Sequence, residues 1–132
     1  MEKQLDCQKM NSYHVLVCGG RHFNDYELLK QTLDNLGVNI VQIISGHAVG
    51  ADSLAETYAL KHNIPVRTFP AKWHIYGKSA GPIRNKEMID YLNKFENKMV
   101  VGFVSDDTKG TRNTLDLAKK KNIPVKEIYF IS

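Results

Sequence analysis

Three stretches of this 132-residue chain set glycines beside cations or hydrogen-bonding side chains: "CGGR" at 18–21, "SGHAVGAD" at 45–52 and "KGTRN" at 109–113. Glycine lets a backbone turn sharply and approach a ligand, and the free N–H groups that open a following helix attract an anion. Arg21, Lys109 and Arg112 stand beside these turns, where a cation suits a phosphate or ribose-phosphate group. The candidate phosphate-binding residues are therefore Gly19, Gly20 and Arg21, then Ser45, Gly46, His47, Gly50, Ala51 and Asp52, then Lys109, Gly110, Thr111, Arg112 and Asn113. Asp52 falls in a first helical turn, where a carboxylate suits the helix dipole or can hold a hydroxyl group. A fourth stretch, "PAKWHIYGKSAGPIRN" at 70–85, supplies what the glycine turns lack. Trp73 and Tyr76 offer flat faces for stacking on a base, against the alternative of plugging the core, with stacking favoured for Tyr76 and Trp73 even between the two. Arg84 and Asn85 lie near the start of a helix beside the crevice.

The elements between these stretches must bring them together. "YHVLVCG" at 13–19 is an apolar run ending in glycine, as expected of a strand buried on both faces. "DYELLKQTLDNLG" follows with leucines at helical spacing and Gly37 at its C-terminal end. "VNIVQIIS", "ADSLAETYALKHN" and "IPVRTFP" read as strand, helix and strand. "AKWHIYGKSAGP" has no clear period and reads as a loop. A third helix is expected over about 82–94, with Pro82 near its first turn. "KMVVGFV", "TRNTLDLAKKKN" and "IPVKEIYFI" complete a fourth strand, a fourth helix and a fifth strand. Strand and helix alternating through short connections predict an α/β fold, a Rossmann-like three-layer sandwich with a mostly parallel five-stranded sheet. In such a sheet all three glycine turns fall on the carboxyl edge, where ligands bind. "LKHNIPV" and "KKKNIPV" join a helix end to a strand in the same way, which predicts one helix-to-strand geometry used twice.

Composition limits the remaining possibilities. Hydrophobic residues make up 42% and charged residues 24% of the chain, close to the globular average, which argues against both disorder and a membrane protein. A polar leader over 1–12 and a single domain over 13–132 are expected, in the cytoplasm, with no apolar run of membrane-spanning length and no signal core. The net charge of +4 suits an anionic partner, yet Lys119, Lys120 and Lys121 sit where a helix ends and compensate its dipole equally well. Cys7 and Cys18 form no C-x-x-C pair, so a disulfide framework is not expected. The five histidines are scattered and no G-x-S-x-G elbow occurs, so no metal, no cofactor and no catalytic residue is assigned. Neither G-x-G-x-x-G nor the P-loop pattern is present.

"GGRHFNDY", "IISGHAVGADSLAETYA", "IPVRTFPAKWHIYGKSAGPIRNKEM" and "KGTRNTLDLAKKKNIPV" together resemble the YspA-related branch of the SLOG superfamily, which also holds the Smf/DprA proteins and the LOG-type phosphoribohydrolases. The resemblance covers nearly everything from Tyr13 to Val125. It implies a SLOG-like domain whose glycine loops bind a nucleotide-derived small molecule, such as an ADP-ribose-like signal, as a sensor or sequestering protein. Two departures matter. His47 and Val49 stand where the branch usually has Gly and Arg, and after Gly110 and Thr111 the chain has Arg112, Asn113 and Thr114 where a LOG enzyme carries its catalytic Glu. The missing acid counts against the alternative of a nucleoside-monophosphate phosphoribohydrolase. Single-stranded nucleic-acid binding, as in DprA, is favoured by the pI of about 9.0 but lacks an extended basic and aromatic groove. A homo-oligomer is expected, since crevices of this kind are often completed by a second subunit.

Overall fold

The computed structural model describes residues 11–106 and 108–131. Five strands, β1 (Ser12–Gly19), β2 (Asn39–Ser45), β3 (Val66–Thr68), β4 (Lys98–Val104) and β5 (Val125–Tyr129), alternate with helices. They form one sheet in the order β3-β2-β1-β4-β5, and every pair is parallel. The helices are α1 (Tyr26–Asp34), α2 (Ala51–Lys61), α3 (Trp73–Tyr76), α4 (Ala80–Leu92) and α5 (Lys109–Lys120). This is the expected Rossmann-like α/β sandwich. β1 begins at Ser12, inside the segment expected as a leader, and Cys7 lies outside the described residues.

The continuous apolar runs of β1 and β4 are explained by burial on both faces. Val15 and Val17 join Ile43, Val101 and Phe103 in a core covered by Leu29 and Leu33 of α1 and Ala55, Tyr58 and Ala59 of α2. Leu16 and Cys18 point the other way, into a core with Ile44, Val100 and Val104 beneath Met88, Ile89 and Leu92 of α4 and Leu115 of α5. Gly102 lets α5 sit close, since a Cβ there would stand 2.9 Å from a Leu115 methyl. α1 starts where the Asp25 carboxylate accepts the Leu28 N–H at 3.0 Å, an N-cap.

The repeated Asn-Ile-Pro-Val segment has one geometry in both places. Asn63 and Asn122 take left-handed backbone angles, φ 56° and 59°, which asparagine tolerates better than most residues. The next amide then reaches back into the helix end, Ile64 to Ala59 at 2.8 Å and Ile123 to Ala118 at 3.0 Å. Each helix stops this way, and a proline stands just before the following strand.

The expected loop over 71–82 is a correction. Trp73–Tyr76 form one helical turn, Gly77–Ser79 a 3-10 turn, and α4 begins at Ala80, two residues before the expected start. Gly77, at φ 58°, lets the chain change direction between the first two pieces.

Candidate functional site

The strand order reverses direction between β1 and β4, and their carboxyl ends open a cleft of about 550 Å³, a size suited to a small ligand. One wall is Gly19, Gly20 and Arg21 after β1, and the facing wall is Thr108 to Thr111 with Asn113 at the start of α5. Ala48 and Asp52 come from the β2–α2 turn, Arg84 and Asn85 from α4, and Trp73 stands on the rim.

The floor is held by a chain of hydrogen bonds. Arg84 Nη1 donates to the Gly46 carbonyl at 2.7 Å and the Phe69 carbonyl at 3.3 Å, while its Nε donates to Asn85 Oδ1 at 2.9 Å. Asn85 Nδ2 donates in turn to Asn113 Oδ1 at 3.0 Å and the Gly110 carbonyl at 3.3 Å. The Arg-Asn pair thus ties the turn after β2 to the first turn of α5. Asp52 is buried, 7% exposed, and its Oδ2 accepts the Ala48 N–H at 3.2 Å. Burial pushes the Asp52 carboxyl up to about 7, against the opposing pull of the Ala48 N–H and of Arg84. Burial also raises the Cys18 thiol, with the Asp52 charge adding to it, so Cys18 is an unreactive part of the floor.

The glycines serve packing more than ligand approach. A Cβ on Gly19 would meet Ala51 at 2.6 Å, one on Gly20 would meet Thr108 at 2.7 Å, and one on Gly46 would meet Arg84 Nη1 at 2.6 Å and Asp52 Oδ2 at 2.9 Å. Gly50, at φ 89°, lies against the Gly20 carbonyl, 2.2 Å from where its Cβ would be, and the Ala51 N–H donates to that same carbonyl at 3.4 Å. The first two glycine turns are therefore fitted backbone to backbone. Gly110 differs: no side chain among the described residues lies within 4 Å of its would-be Cβ.

Several residues expected at the site stand behind or beside the cleft. Ser45, Gly46, Gly50 and Ala51 underlie it without lining it. His47 turns outward, its Nδ1 3.0 Å from Glu56, which also accepts the Ser45 hydroxyl at 2.8 Å. Arg112 leaves the cleft for Glu127 of β5, at 3.2 Å, an acid that Lys119 also holds at 2.8 Å. Sequence adjacency to Gly110 carries no information about which way that side chain points. Of the two aromatics offered for stacking, one lines the cleft. Trp73 lines the cleft and is 59% exposed, whereas Tyr76 is 45% exposed and outside the lining, so neither is a core plug. Cys18, Met88 and Thr108 line the cleft without having been singled out. Cys18 had a readable signal, as the last side chain before the glycine pair of the first strand.

Comparison with known proteins sharpens this. The family described as YspA, cpYpsA-related SLOG matches from the first strand to the end of α3. Residues 13–76 are similar to the YspA, cpYpsA-related SLOG family. The SLOG match includes Asp52 and Trp73, while Arg84 and the start of α5 lie beyond it. The chain is also similar to the Gene 61 protein of Mycobacterium phage D29, 29% identical over 120 residues that span 84% of this chain and 92% of that protein. Among solved structures it resembles DNA processing protein A (DprA) from Streptococcus pneumoniae, with a TM-score of 0.59 and 19% identity over 93% of this chain. The chain spans about half the length of that structure, 52%, and the likeness shows the shared fold. His47 takes φ 59°, a left-handed angle that Gly adopts more readily than other residues.

Proposed function

We propose that the cleft captures a nucleotide-derived small molecule, its anionic group at the start of α5 and its ring against Trp73. The match to the SLOG family over residues 13–76 supports nucleotide-related binding in general, and the observation that carries the finer reading is the first turn of α5. Among the described residues no side chain caps this helix, none lies near the place of a Gly110 Cβ, and the cations Arg21 and Lys109 line the same cleft. Free N–H groups, a positive dipole end and two cations together suit a phosphate. Among the described lining residues Asp52 is the one carboxylate, and no acid aligns with the LOG glutamate. Capture is therefore favoured over hydrolysis, and AMP incubated with the protein should remain intact. Release of free base at about one turnover per second or faster would reverse that assignment.

The direct test is to denature the purified protein and identify co-released nucleotides by mass spectrometry, followed by titration with AMP and ADP-ribose. Gly110→Val should weaken binding at least tenfold while the melting temperature holds, because a Cβ there lies within 4 Å of no side chain among the described residues and points the new side chain into the space by the helix start. Unchanged affinity would count against the anion site.

Trp73→Ala separates the ring contact from packing. Loss of a stacked base should weaken binding by about 1–3 kcal/mol. The side chain is mostly exposed, so stability should change little. Tyr76→Ala should leave affinity as it was. A weakened Tyr76 variant beside an unaffected Trp73 variant would restore the opposite assignment.

A further inference from the structure

The deepest polar groups of the cleft have chemistry that differs from that of its walls. Asp52 is 7% exposed, yet among the described residues only one of its oxygens is bonded, Oδ2 to the Ala48 N–H. Oδ1 has no hydrogen-bond partner there. Beside it, Arg84 has spent Nε and Nη1 on Asn85 and two carbonyls, and its Nη2 carries no hydrogen bond among the described residues. Arg84 Nη1 and Asp52 Oδ2 lie 2.6 and 2.9 Å from where a Gly46 Cβ would be, so the two side-chain heads are neighbours, and both residues line the cleft.

A ligand that covers these two atoms takes them out of water, so each then needs a hydrogen-bond partner from the ligand. The group that satisfies both must donate to Asp52 and accept from Arg84. A phosphate cannot donate and would be repelled by the carboxylate. A ring is better served by Trp73 at the rim. A sugar hydroxyl does both jobs at once.

We propose that Asp52 and Arg84 form a sugar-hydroxyl subsite, which makes the cleft selective for ribose over deoxyribose ligands. This rests on the reading of the cleft as a nucleotide site. Asp52 supplies the selectivity, because a buried polar group left unpaired by the wrong ligand discriminates more strongly than a lost apolar contact. Arg84, pinned at three bonds, positions the hydroxyl.

Calorimetric titration of the full chain with AMP, 2′-deoxy-AMP and 3′-deoxy-AMP tests this without any variant. At least one deoxy analogue should bind about 10- to 100-fold more weakly than AMP, as expected for a hydrogen bond to a charged group. The same titrations on Asp52→Ala, which keeps no acceptor, should show that ratio falling to near unity. Equal binding of all three ligands by the unmodified protein would overturn the hydroxyl subsite and leave the nucleotide site standing. A ratio that survives in a folded Asp52→Ala protein would also overturn it. Failure of all three to bind would remove both proposals together.

Discussion

Asp52→Asn should raise the melting temperature at about pH 8 and leave it unchanged at about pH 4. The carboxyl of Asp52 is pushed by burial to about 7, above its unfolded value of 3.8. The folded state therefore holds this proton more tightly than the unfolded chain does. Its stabilising contribution is complete below about pH 4 and is lost as pH rises through about 7, where the buried group must ionise. Asparagine avoids that ionisation and keeps an oxygen able to accept the Ala48 N–H. The displacement from 3.8 to about 7 caps the gain at about 4 kcal/mol at high pH, with Arg84 left without its counter-charge to reduce it. Thermal melts of both proteins across this range decide the matter. Parallel curves at every pH would mean that Asp52 is solvated in the folded chain.

Gly50→Ala should be among the most destabilising single-methyl changes in the molecule. The residue sits at φ 89° and ψ −132°, a region open in practice to glycine alone. Its new Cβ would also stand 2.2 Å from the Gly20 carbonyl oxygen and 2.7 Å from the Arg21 Cα, both backbone atoms that cannot swing aside. Strain of about 1–3 kcal/mol adds to overpacking of about 1–3 kcal/mol. A combined loss of about 2–6 kcal/mol should appear in urea unfolding, and nucleotide affinity should fall with it as the two turns separate. An unaltered unfolding midpoint would show that the turns are not locked.

The parallel sheet was legible because burial on both faces writes itself into the chain as unbroken apolar runs. "KMVVGFV" coincides residue for residue with β4. The Trp73–Tyr76 turn was not legible, since four residues are too few to display a helical period. Site residues divide by how their side chains are anchored. Gly110, Asn113, Arg84 and Asn85 were readable because helix starts at the carboxyl edge converge on the cleft whatever their partners. His47 and Arg112 were not, because Glu56 and Glu127, which draw them away, come from a later helix turn and from another strand. The elevated Asp52 carboxyl depends on burial, which no residue pattern records.

β3 has a consequence for how copies of the chain can meet. It is only three residues long, Val66–Thr68, all exposed, with Pro65 before it and Pro70 two residues after. At the far side β5 opens after Pro124 and carries Lys126 and Glu127. Proline has no N–H to offer a neighbouring strand, and charge discourages stacking, so both margins of the sheet are poor templates for strand recruitment. Continuous cross-molecule ladders, and the fibrils that grow from them, are disfavoured at either side.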